Sequence, residues 1–111
     1  MRKLIAFASL LAACSSAPSR EDQAKGLYTR VAYLRASYDT AYADYNTVAL
    51  DAIFREMKRH ADREQDLFIE DLKSGESDRK RLAAFALAFA EGSQRAQQAL
   101  LAALAVERQD R

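Results

Sequence analysis

Apolar positions recur at steps of three and four from residue 21 onward. Ala24, Leu27, Val31, Leu34, Tyr38, Ala41, Tyr45, Val48 and Ala52 form one seam sustained over four heptads. Tyr28, Tyr42 and Ala49 widen it on one flank. Beyond Ala52 the stripe shifts to Ile53, Phe54, Met57, Ala61, Phe68 and Leu72, across a charged interval at Arg55–Asp66. No proline and only one glycine, Gly26, lies between Glu21 and Lys73. The spacing predicts a helix over about 21–73, with a break near Asn46-Thr47 as the alternative.

Ser74-Gly75-Glu76-Ser77-Asp78 is the one clear turn signal. Gly75 suits a helix C-terminus needing positive φ, Ser77 an N-cap and Asp78 a first turn. A second helix is predicted over about 78–108, with an apolar face of Leu82, Phe85, Phe89, Gly92, Ala96, Ala99, Ala103 and Val106. Ala84, Ala88, Gly92 and Ala96 add a ladder of small residues at four-residue steps, which permits close backbone approach.

The expected fold is therefore all-α, either a long-helix antiparallel hairpin or a three-helix bundle, with a coiled-coil oligomer as a further arrangement. Folding the chain at Gly75 sets Leu82 near Ile69 and lets Ile53 and Phe54 sit against Ala96 and Ala99. The second helix runs out opposite about Tyr45, so the seam from Ala24 to Tyr45 has no partner in a simple hairpin. A bend near Asn46 would cover it, as would a second copy or another protein. Leu27, Tyr28, Val31, Leu34, Tyr38, Tyr42 and Tyr45 are accordingly the candidate interaction surface, since tyrosine pairs a large area with a polar tip. The plainer reading of aromatics at this spacing is core.

Ahead of the helices lies a different pattern. Met1-Arg2-Lys3 is a short cationic start, Leu4 to Ala13 is apolar apart from Ser9, and Cys14 follows at once. A basic start, a short apolar core and a small-residue cleavage region describe a secretory signal, and the run is far short of the ~20 residues of a membrane-spanning helix. Leu11-Ala12-Ala13-Cys14 resembles the lipobox of bacterial lipoproteins. The resemblance implies cleavage between Ala13 and Cys14 and a thioether-linked lipid on the Cys14 sulfur, with location in the cell envelope. Ser15 in place of aspartate favours the outer membrane, facing the periplasm, in a Gram-negative host. Residues 1–13 are then the signal peptide, 14–20 the lipidated cysteine with a short tether, and 21–111 a single helical domain. The tether would hold the tyrosine seam close to the bilayer, with the Gly75 turn pointing away.

Composition narrows the function. The chain has 111 residues, one cysteine and a net charge of +1; loss of Arg2 and Lys3 with the signal leaves 15 basic against 16 acidic residues. So balanced a charge offers no case for nucleic acid, and one cysteine allows no disulfide framework. Glu56, His60 and Glu64 lie four apart on one face. No Glu-x-x-His pair accompanies them, and Arg59 and Arg63 crowd the site, so a solvated helix face outweighs a metal site at His60. No Gly-x-Ser-x-Gly elbow or phosphate loop is present, and no catalytic residue, metal or small-molecule substrate is inferred. The expectation is a non-enzymatic lipoprotein with no cofactor beyond its lipid, a structural or adaptor component whose helical surface meets a protein partner or a second copy. An exclusion or inhibitory lipoprotein of a mobile element is the alternative.

Overall fold

The computed structural model describes residues 19 to 109, the last two without their side chains. The expected signal segment, Ala13, Cys14 and the tether as far as Pro18 lie outside the described residues. Five helices and no strand occupy the described chain: α1 Arg20–Ala43, α2 Thr47–Arg63, α3 Gln65–Ser74, α4 Ser77–Leu87 and α5 Gln94–Gln109. The fold is an all-α bundle, as the periodicity predicts, but each of the two expected helices is divided.

Ser19 starts α1, its hydroxyl accepting from the Asp22 amide at 3.1 Å. Glu21 and Asp22 in the first turn complement the helix dipole. The helix faces inward through Ala24, Tyr28, Val31, Leu34 and Ala41. It ends at Asp44, and Asn46 opens α2 by accepting from the Ala49 amide at 3.1 Å. The short turn folds α2 back along α1, and Arg30 clamps Glu56 across the pair through two bonds of 2.6 and 2.7 Å. The break near Asn46 is thus realised, and the single helix over 21–73 is not.

A second interruption, at Glu64 (φ −112°, ψ 29°), separates α2 from α3 with no side-chain cap. Nothing in the neighbouring side chains explains it. The Gly75 turn then reverses the chain, and α3 and α4 pack against each other as neighbours. Gly75 has φ −76°, not the positive value expected. Glycine is required there for space, because a Cβ would lie 2.5 Å from the Asp71 carbonyl oxygen. That same carbonyl accepts the Gly75 amide at 2.8 Å, closing α3. Ser77 is the first residue of α4 and Glu76 is its cap.

The expected second helix breaks between Leu87 and Gln94. Gly92 adopts φ +78°, a conformation that side-chain-bearing residues resist. Ser93 caps α5, accepting from the Ala96 amide at 3.2 Å and donating to Gln65 Oε1 at 3.1 Å. The bend redirects α5 onto α3 and α4, and it makes no close approach to α2. The expected seating of Ile53 and Phe54 against Ala96 and Ala99 has no close backbone approach behind it. Phe54 instead meets Phe89 edge-on, with ring centroids 5.4 Å apart.

One core runs through all five helices. Phe68, Met57, Leu87 and Val31 are its largest fully enclosed side chains, and alanines at 61, 83, 86 and 96 let the helices close around them. No charged side chain among the described residues is buried, and no buried side-chain polar atom lacks a partner.

Candidate interaction surface

The seven residues of the expected surface divide sharply. Tyr28, Val31 and Leu34 are in the core, and Leu27 and Tyr38 are half-buried against it. Five of the seven are therefore core residues, because the chain bends at Asn46 and because α4 packs on α1. Only Tyr42 and Tyr45, 65% and 87% exposed, face water.

Tyr28 joins three helices. Its hydroxyl donates to Asp71 Oδ2 on α3 at 2.6 Å, and its ring stands edge-on to Phe68 at 5.8 Å. The guanidinium of Arg79, on α4, lies 5.2 Å from the ring centroid and pairs with Glu21 on α1. Burial, then the bond to Asp71, pushes the Tyr28 phenol well above its ordinary range. The Gly75 turn is thereby latched beside the start of α1, which reverses the expectation that it points away from that end.

Glu56 is the second polar node. The two bonds from Arg30 and a 3.0 Å contact with His60 Nε2 hold its carboxyl down at about 2, the Arg30 hydrogen bond being the largest cause. The face carrying Glu56 and His60 is thus organised as an ion pair between α1 and α2.

The opposite end of α1 is built differently. Asn46 donates its amide to the Ala41 carbonyl at 2.9 Å, and Tyr45 donates to Tyr42 at 3.2 Å. This is the Schellman arrangement, whose penultimate position takes a left-handed backbone and is normally glycine. Tyr45 occupies it at φ +53°. A bulky side chain in that region carries strain, and here it projects almost fully into water. Tyr42 stacks on Tyr38 (6.2 Å, 22°), and Tyr38 in turn abuts Phe85 and Phe89. The exposed rings are thus the outer end of an aromatic chain rooted in the core. Val48, three residues beyond Tyr45 at the start of α2, is 80% exposed. A groove of about 350 Å³ lies between α1 and α2 behind this tip, bordered by Tyr33, Asp44 and Asn46 and floored by Ala41 and Ala49.

A second exposed apolar stripe, Leu101, Leu104 and Val106, lies along α5. The sequence reading placed Val106 and Val48 on covered faces, and both are exposed. Periodicity identified those faces but not the lengths of the helices opposite them. Among the described residues no three metal-capable side chains converge, and no helix is long and apolar enough to cross a membrane. No protein-family model, no curated protein and no solved structure matches this chain.

Proposed function

We propose that the protein is a non-enzymatic bacterial envelope lipoprotein, held to the membrane by lipid on Cys14, that displays a helical surface to a protein partner. The observation that carries this reading is the order of residues 2 to 14: two cations, then a ten-residue run that is apolar but for Ser9 and ends in Leu11-Ala12-Ala13, then Cys14. Only a thiol can form the thioether, and two or more acyl chains make attachment stable where one is marginal. Ser15 supports the outer membrane in a Gram-negative envelope.

Geometry gives the reading a direction. Five residues separate Cys14 from Arg20, where α1 begins, so the helix would start within roughly 20 Å of the bilayer. With 24 residues, α1 spans roughly 36 Å. The Tyr28 latch and the Gly75 turn lie at the anchored end, and the Tyr42–Tyr45 tip lies at the other. On this reading the exposed tyrosines stand at the end of α1 farther from Cys14.

The test is metabolic labelling with a clickable fatty acid in a Gram-negative host, followed by membrane fractionation. The full chain should take up label and sediment with membranes. Cys14→Ser should lose both properties. An unlabelled wild-type chain, or label retained by the Cys14→Ser chain, would refute the anchored reading.

A further inference from the structure

We infer that the Tyr42–Tyr45–Val48 tip is a docking surface for a cationic, apolar segment of a partner protein, which deepens the lipoprotein reading by naming what its surface receives. The patch itself is aromatic and exposed. Tyr42 is 65%, Tyr45 87% and Val48 80% exposed, so three large hydrophobic side chains close in sequence stand in water.

Charge complementarity identifies the occupant. From Ala36 to Phe54 the chain has three aspartates and no lysine or arginine. Without residues 1–13 the chain has 15 basic and 16 acidic residues, a net charge of −1, so the rest of it carries +2 against −3 for this stretch. Asp51 is neutralised by Arg55, whereas Asp39 and Asp44 have no salt-bridge partner among the described residues. Asp39 lies one helical turn before Tyr42, and Asp44 directly precedes Tyr45. An uncovered ring beside an unpaired carboxylate offers a guanidinium or ammonium both a π face and a counter-charge. Elsewhere in this chain the same pairing is already satisfied internally: Arg79 lies over Tyr28 and pairs with Glu21, and Arg30 lies over Tyr33 and pairs with Glu56. The tip repeats the aromatic and carboxylate halves of that arrangement without the cation. An arginine- or lysine-bearing segment supplies the missing half, and its apolar residues cover Val48 and the ring edges.

An area this small belongs to a transient contact, with Kd at roughly the micromolar level. The test uses the full chain in non-ionic micelles and the fluorescent peptide Leu-Arg-Leu-Lys-Leu-Arg, read by anisotropy. Saturable binding is expected, weakened several-fold by raising salt from 50 to 500 mM, and absent for Leu-Glu-Leu-Glu-Leu-Glu. Tyr45→Ala and the pair Asp39→Asn with Asp44→Asn should each weaken binding about tenfold. Their circular dichroism should match the parent, which separates lost docking from lost folding. No binding by the basic peptide overturns the proposal, as does binding that is indifferent to the aspartates. A dimer of the peptide-free chain that Tyr45→Ala dissolves overturns it in favour of a second copy. The assay does not depend on lipid at Cys14, so an unlabelled chain that still binds the peptide removes the anchor and leaves the docking surface.

Discussion

Tyr45 offers a test in which glycine and alanine should exchange their usual order. At an ordinary helical position alanine is the more stabilising by roughly 0.5–1 kcal/mol, because glycine has more backbone freedom to lose on folding. Tyr45 is held at φ +53°, where an L-residue with a Cβ is strained by roughly 1–2 kcal/mol and glycine is not. Tyr45→Ala and Tyr45→Gly both remove a ring that is 87% exposed, so they lose the same small amount of contact. The difference between them isolates the backbone. Subtracting the glycine entropy from the relieved strain, midpoint from midpoint, leaves Tyr45→Gly more stable than Tyr45→Ala by about 0.75 kcal/mol, with extremes of roughly 0 and 1.5 kcal/mol. In a domain of this size the midpoint corresponds to roughly 3–6 °C in Tm. Urea denaturation followed by circular dichroism at 222 nm, fitted with a shared slope, measures it. An alanine variant equal to or more stable than the glycine variant would mean that the turn does not hold a left-handed residue at 45. Tyr45 would then carry no backbone strain in the fold. Both variants should lose peptide binding alike, since both lack the ring.

Two further outcomes follow from the polar nodes. Tyr28→Phe keeps the ring against Phe68 but leaves Asp71 without its 2.6 Å donor, and should cost about 2 kcal/mol in the same denaturation assay; a loss below a few tenths would mean that the hydroxyl does not latch α3 to α1. The depressed Glu56 carboxyl contributes stability that is complete above its ordinary value of 4.5 and is lost as pH falls toward about 2. A pH series of Tm should accordingly decline less between pH 5 and 2 in Glu56→Gln than in the parent, and parallel declines would contradict the role of the Arg30–Glu56 pair.

The helical class was legible because the 3-4 spacing persists through every segment, whichever way the chain bends. The bends were less so. Asn46 suits a cap, but Tyr45 and Val48 carry the apolar seam straight across the bend, and no glycine or proline marks it. Glu64 has neither glycine, proline nor a capping side chain around it. Gly92 was hidden by its own context, since Ala84, Ala88, Gly92 and Ala96 fall at helical intervals. A small residue that fits a close-packed ladder fits a left-handed turn equally well. The tyrosine seam shows the same limit: spacing puts Tyr28 and Tyr42 on one flank, but only the arrival of α4 and α3 buries the first and leaves the second in water. The strain at Tyr45 has no sequence signature, because the residue that would advertise a left-handed turn is the glycine that is missing there.

The latch at the start of α1 also determines how the molecule would bear force. Tension applied ahead of Ser19 enters α1 at its first turn. Within the first three turns it meets Glu21–Arg79, which leads to α4, and Tyr28–Asp71, which leads to α3. α1 and α4 run in the same sense, with Glu21 beside Arg79 and Tyr38 beside Phe85 and Phe89. A pull along α1 therefore shears several side-chain contacts together and does not peel them one by one. A load entering there is shared by three helices over the first turns of α1.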